Sequence, residues 1–600
     1  MEASCSYPQD SGIRRVKRTP VSAVVSRIER LERTVAALSE NQICGRDQDT
    51  RSPNGSWTTE QKPLSDRHVL LNNGATSRFF SNSIFASVVE EAEEMWPSRE
   101  SASVTSPESN ASQTWDSAWD MPHSTAAPAS NTGLAPVRAD GSFPSPWQAL
   151  QLWQAYVNNV DPVIKILHIP SIKPHIHAAI KDIELADKSM ALLLSVVFFA
   201  AAISLDSENA LRLLGCEKGA ALQQFQRQVE LAIAKSNVMH SPCLRSLQGL
   251  TIYLTALRAY DNSRNVWTLT GLAIRIAHSV GLHRDGSQLG LLVFEAEMRR
   301  RCWWHLLVLD TRTGEDYGLS SIGVDRSCDT SYPTNLDDYE ISPEIEELPK
   351  PQDRWTEMSF SLIRIQGVDI MMRKVLDANN IDILEKERGI ETFSHRLDST
   401  FLSYSDTNAP IQKAGSIFAR LVVQKANFNL QLQAIQRDSS LENPTSSIES
   451  LTKASSLIES FLVMNNEELI QGFRWLFKSY TQWFALVLVL RHLAANPGIT
   501  ENQRFIDITN NAFTILDEDE ALHNKGTIRI ALYLLRDKAL RPPQLRQLSE
   551  SASLVPPQFG LAQFGSENGL GVEGFSGGLA GDNMFNLLSW PRWFDIDEPL

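Results

Sequence analysis

The chain has 600 residues, 42% of them hydrophobic and 21% charged, which is enough to bury a sizeable core and to form more than one domain. Its formal net charge of −15 excludes a protein that coats nucleic acid along its whole surface, so any DNA contact must be local. The six cysteines, at 5, 44, 216, 243, 302 and 328, include no pair at zinc-site spacing and outline no disulfide framework, which fits a reducing, intracellular setting.

The first residues carry no apolar core behind a basic start, so no signal peptide is expected. Cys5 stands alone, and one thiolate cannot hold a structural zinc, which needs four ligands. Arg14, Arg15, Lys17 and Arg18 form a basic run suited to nuclear import or phosphate contact, against the plainer reading of a solvated charge run. Over 21–42, Val21, Val24, Ile28, Leu31, Val35 and Leu38 alternate at three and four, an a/d seam that favours a parallel two-stranded coiled coil. A coil this short is weak without a further contact, and the competing reading is one amphipathic helix docked on its own domain. Residues 43–144 are rich in Ser, Asn, Thr, Pro and Gly and read as a disordered linker. An apolar island at 77–91 and an acidic aromatic stretch at 115–119 interrupt it.

From 145 to 540 the apolar period is helical. A first helix from Leu152 breaks at Asp161-Pro162, and a short turn ends in Pro170. His175 and His177 are two apart, which on a helix points them to different sides and excludes a metal pair. The run Met190 to Leu205 falls short of the roughly 20 residues a membrane span needs and reads as a buried core helix. Amphipathic helices follow over Leu211 to Ile233, Leu244 to Tyr260 and Trp267 to Val280, the last closed by Gly281. Antiparallel helices with short connections and no fixed repeat predict an all-α helical bundle or superhelix.

The stretch 281–325 is the most informative. Gly281, Leu282, His283, Arg284 and Asp285 lead into a helix on which Phe294, Met298, Cys302, Leu306 and Leu309 share one face. Glu295 with Arg299 and Glu297 with Arg301 sit four apart, acid first, the favourable order for helical ion pairs. Trp303 and Trp304 on one turn require neighbours on both sides. After 325 comes an irregular acidic segment whose Asp337-Asp338-Tyr339-Glu340 cluster reads as solvated loop. Further helices are predicted over Trp355 to Val375, Ile417 to Arg437, Ser446 to Val463 and Gln471 to Leu493, ending before Pro542-Pro543. The tail, 541–600, is flexible and Gly-rich, and its last residues set Trp590, Trp593 and Phe594 among acids, the composition of an activation segment.

Gly281-Leu282-His283-Arg284-Asp285, followed by Phe294-Glu295-Ala296-Glu297-Met298-Arg299-Arg300-Arg301-Cys302-Trp303-Trp304, then Asp310 and Asp325, resembles the central regulatory domain of the fungal binuclear zinc-cluster transcription factors. The run Leu152 to Pro170 resembles the start of that domain, and 77–91 the short segment many members carry ahead of it. Cys5-Ser6-Tyr7-Pro8 resembles the end of the family's zinc cluster, followed by a basic linker at 1–20 and a coiled coil. The resemblance implies a nuclear transcription regulator, dimeric with itself or a family member, with DNA, co-activators and cluster zinc as partners in the intact family. It implies neither catalysis nor a membrane. The chain as written, with Cys5 as a leftover ligand at most, is expected to hold no cofactor and to read no specific DNA sequence. Two alternatives stand beside this: a cluster-less partner of intact family members, and a ligand-sensing helical domain. No phosphate loop, Gly-x-Ser-x-Gly elbow, His-Glu-x-x-His or dinucleotide fingerprint motivates an enzyme.

Overall fold

Met190 to Ser204 carries bulky apolar side chains on every side of a helix, and only a helix enclosed all round can keep them from water. In the computed structural model that helix, α3, spans Lys188–Ser204 and is capped by the Asp187 carboxylate, which accepts from the Met190 amide at 2.9 Å. The structure describes residues 69–72, 77–80, 87–88, 143–261, 264–319, 328–351, 353–371, 375, 382–437, 448–496, 502–518 and 527–540. All of them fall within one unit, Lys62–Leu600.

Around α3 pack α1 (Pro146–Asn159), α2 (Ile169–Lys181), α5 (Lys218–Ser236) and α6 (Leu244–Tyr260), with the short α4 (Ser207–Leu214) set against α1 and α5. Helix α8 (Val293–Tyr317) lies against α6, α7 (Arg264–Ser279) and α9 (Ser359–Ile370). The helical layer continues through α10 (Ile383–Thr400), α11 (Pro410–Arg437), α12 (Ile448–Asn466), α13 (Arg474–Phe477), α14 (Trp483–Ala495), α15 (Gln503–Asp517) and α16 (Thr527–Leu540). Sixteen α-helices among the described residues make the chain all-α, and one apolar core runs through them. No helix among the described residues is long and apolar enough to cross a membrane.

Three sequence expectations change. The stretch Leu211 to Ile233 is two helices, because Gly215 takes φ 73° and caps α4 in the left-handed region. Gln471 to Leu493 is not one helix. A 3-10 turn, Glu468–Phe473, and α13 are parted from α14 by Lys478 to Gln482. Within the span read as linker, β1 (Val69–Asn72) and β2 (Ser77–Phe80) pair antiparallel, with Val69 opposite Phe80. Just beyond them, Val88 is wholly buried and Arg491 of α14 donates to Ser87 Oγ at 3.1 Å, so the island at 77–91 touches the helical core. Cys5, the basic run, the 21–42 seam, Asp325 and the 541–600 tail lie outside the described residues.

Candidate functional site

The three consecutive arginines of α8 each reach a different element, because successive helical residues point about 100° apart. Arg299 Nη2 donates to the Val280 carbonyl at 2.6 Å, closing the end of α7, and keeps Glu295 only at 3.9 Å. Arg300 forks onto Asp285, Nε at 2.9 Å and Nη2 at 2.8 Å. Arg301 is fully buried; its Nε meets Glu297 at 3.3 Å and its Nη1 meets Asp338 at 2.8 Å. Both expected i,i+4 ion pairs are present, the Glu295 one long and half-exposed, the Glu297 one buried.

The Gly281 to Asp285 turn is fixed from several sides. Gly281 has φ 77°, and the Leu282 amide donates back to Ala277 at 2.9 Å, which closes α7 as a left-handed cap does. His283 stacks on His278 with ring centroids 4.4 Å apart and 12° between planes, and both rings lie against Trp303. Arg284 pairs with Asp329 at 2.8 Å. Asp285 accepts from Arg300, from Ser287 and from the Ser331 amide at 2.9 Å. Burial pushes its carboxyl up, but the Arg300, Ser287 and Ser331 hydrogen bonds outweigh that and hold it far below the usual carboxylate range. Trp303 Nε1 donates to Cys328 Sγ at 3.2 Å, and Trp304 Nε1 to the Ser331 carbonyl at 2.9 Å. Asp310 is buried on α8.

The acidic segment expected to be solvated is instead the hub. Asp338 Oδ1 takes Arg301, and its Oδ2 takes Lys165 at 2.9 Å and the Ile169 amide at 2.9 Å. Its backbone carbonyl accepts from His168 Nε2 at 2.9 Å. Two cations and an α2 amide thus converge on one carboxylate, so it stays ionised although only 3% exposed. Burial raises it, and Arg301 with Lys165 bring it down to about 2. Lys165 also meets Asp161 at 2.7 Å and Glu357 at 3.2 Å. Asp161 is the less favoured carboxylate of this set: burial pushes it up to about 6, with Lys165 opposing. Arg354 clamps Asp337 and Glu340, each at 2.6 Å. Beneath Arg301, His305 Nδ1–H donates to the Arg301 carbonyl at 2.8 Å, which leaves Nε2 to accept from Ser361 Oγ at 3.0 Å. Burial and the Arg364 charge push this imidazole down to about 3.

The contacts of Asp285, Arg300, Arg301, Trp303 and Trp304 thus run between segments of the fold, while the Arg284 and Glu295 pairs are partly exposed. The carboxylates are occupied by cations and backbone amides, an arrangement that locks three segments together: the 160–169 turn, α8 and the 328–357 loop. Among the described residues no group of three His, Cys, Asp or Glu is placed to hold a metal ion. Sequence reasoning missed Asp161, Lys165, His305 and Asp338. Asp161 and Lys165 carried a signal, two opposite charges four apart inside an otherwise apolar run from Val160 to Ile169.

An all-helical domain pinned by a buried ion network around α8 is the class this structure defines. Residues 153–401 match the family model described as the fungal specific transcription factor domain. The pyriculol/pyriculariol biosynthesis cluster transcription factor 1 of Pyricularia oryzae is 32% identical over 317 residues, 51% of this chain and 40% of that protein. The aurofusarin cluster transcription factor aurR2 of Gibberella zeae is 26% identical over 371 residues, 60% of this chain and 55% of that one. Transcriptional regulator AacuB of Aspergillus aculeatus is 23% identical over 491 residues, 77% and 66% of the two chains. Over residues 153–401 the chain is therefore similar to the fungal specific transcription factor domain family, and its relatives include proteins named as C6 finger transcription factors. It spans between 40% and 66% of the length of the first three.

Proposed function

We propose that this chain is a nuclear transcription regulator of the fungal zinc-cluster type, acting on the genes of a biosynthetic cluster. The match of residues 153–401 to the family's domain carries this reading. The names of two relatives, each a cluster transcription factor, support the choice of target genes. In this reading residues 145–540 are the regulatory domain, and 21–42 joins two copies, or one copy and another family member, through Val21, Val24, Ile28, Leu31, Val35 and Leu38. Arg14, Arg15, Lys17 and Arg18 serve nuclear import or touch phosphates, and the 541–600 tail meets a co-activator. DNA is read in the intact family by the zinc cluster. Cys5 offers one sulfur of the four ligands a structural zinc needs, so the residues of this chain do not by themselves fit that metal.

Comparing transcripts between cells with and without the gene tests the proposal. The expected result is a change confined largely to a contiguous set of biosynthetic genes. An unchanged transcript profile under conditions where the protein is made overturns it.

A further inference from the structure

At the far end of α8 from the signature cluster, four parts of the fold bring three cations onto two carboxylates. Arg258 of α6 forks onto Asp316, Nε at 2.7 Å and Nη2 at 3.1 Å, and also donates to the Ser479 hydroxyl and carbonyl, each at 2.8 Å. Arg312 ion-pairs with Glu315, one turn on along α8, and lies over the Tyr480 ring at 4.4 Å. Lys425 of α11 ion-pairs with the same Glu315. Trp483 Nε1 points at Asp316 Oδ1, 3.4 Å away. Beyond the ring, Arg364 donates to the Tyr480 hydroxyl at 3.2 Å and to the Val163 carbonyl.

The charge does not close. Among the described residues, Arg258, Arg312 and Lys425 face Glu315 and Asp316, while Arg364 lies beyond the ring on neutral acceptors. Asp310 does not relieve it, for it precedes Arg312 by two residues and so lies roughly 200° away around α8. Two donors also lack acceptors. Arg312 is 6% exposed and its Nε is buried with no hydrogen-bond partner. The Lys425 ammonium has three donors and meets Glu315 alone among the described residues. Buried cations are ordinarily paired, because an uncompensated charge in a low-dielectric site is costly. The cluster is not sealed either: the side chains of Lys425 and Glu315 remain 15% and 18% exposed, so it opens to solvent at that ion pair.

We infer that this cluster is a binding site for a small organic carboxylate, whose two oxygens take the Arg312 Nε–H and the Lys425 ammonium. A single negative charge fits the excess left by three cations and two carboxylates, and a planar pair of acceptors suits a guanidinium edge beside an ammonium. Burial, then the neighbouring Arg312, push Lys425 down to about 8, which is the mark of an ammonium short of anionic partners. None of these residues belongs to the signature cluster around Asp338, and the inference does not depend on the role of the chain in transcription.

Calorimetric titration of the full chain with acetate, against sodium chloride and phosphate at matched ionic strength, tests it. Acetate is expected to bind saturably at pH 7 and phosphate not to. Binding should disappear in Lys425→Met, persist in part in Lys425→Arg, and fade in the wild type as the pH is raised past about 8, where the ammonium loses its proton. Circular dichroism verifies that the variants keep their helix; if Lys425→Met does not fold, the wild-type pH series alone decides. No acetate binding, equal binding in wild type and Lys425→Met, binding indifferent to pH between 7 and 10, or binding of phosphate in place of acetate overturns the proposal.

Discussion

Asp338 receives cations from two directions, Lys165 from the turn after α1 and Arg301 from the middle of α8. Replacing it with Asn keeps the shape and removes the charge, leaving both cations short of a partner. Breaking a buried pair by removing one member costs about 3–5 kcal/mol, so Asp338→Asn should lower unfolding stability in urea by that order. A loss below about 1 kcal/mol would show that Glu297, Asp161 and Glu357 can carry both cations alone. His305 gives a second test at this scale. Its folded value, about 3, lies below the free imidazole value of 6.5, so its contribution is complete above pH 6.5 and declines as the pH falls toward 3. The stability difference between wild type and His305→Gln should therefore shrink by about 1.4 kcal/mol per pH unit below 6.5, read from denaturant curves. A difference constant from pH 7 to pH 4 contradicts the buried neutral imidazole. The Glu297–Arg301 pair was legible in the sequence because its partners are one turn apart. Asp338 was not, because it lies 37 residues from Arg301 and nothing local marks an acid on a loop as buried.

At the scale of elements, periodicity located most helices and misjudged what surrounds them. Five residues spaced three and four apart suggested one apolar face for α8, yet Arg301 to Asp310 are buried on every side. Charged residues inside that span disguised its burial, since their partners come from distant segments. Leu244 to Tyr260 emerged as read, bounded by Pro242 and Asp261, while the break between α13 and α14 had no Gly or Pro to announce it. There the Ser479 carbonyl accepts from Arg258 instead of continuing a helix. The β1–β2 pairing did have a local sign that the linker reading passed over, Asn73-Gly74 between two apolar runs. Helices α9 and α11 approach closely at Gly367, where an added Cβ would stand 2.6 Å from Val422 Cγ1. Gly367→Ala should thus cost about 1–3 kcal/mol by forcing the two helices apart. Thermal unfolding measures it, and an unchanged melting temperature would mean that Val422 turns aside freely.

Across the whole molecule, the fold class and the resemblance to the family were readable because they rest on long patterns, the helical period over 145–540 and the signature from Gly281 to Trp304. The ion network was not readable, since it is made by tertiary proximity of the 160–169, 297–301 and 334–357 segments. Assembly into dimers is a separate proposal from the 21–42 seam. Replacing Ile28 and Leu31 with Lys should leave the helical domain folded by circular dichroism and lower the mass seen by light scattering at micromolar concentration. An unchanged mass would place the dimer contact elsewhere. The claim that the protein regulates transcription is tested most directly by chromatin crosslinking of the tagged chain in its own cells. The account predicts enrichment at promoters of the genes whose transcripts change when the gene is deleted, whether the chain meets DNA itself or through a family partner. A nuclear fraction devoid of the protein, or chromatin without enrichment at those promoters, would contradict it.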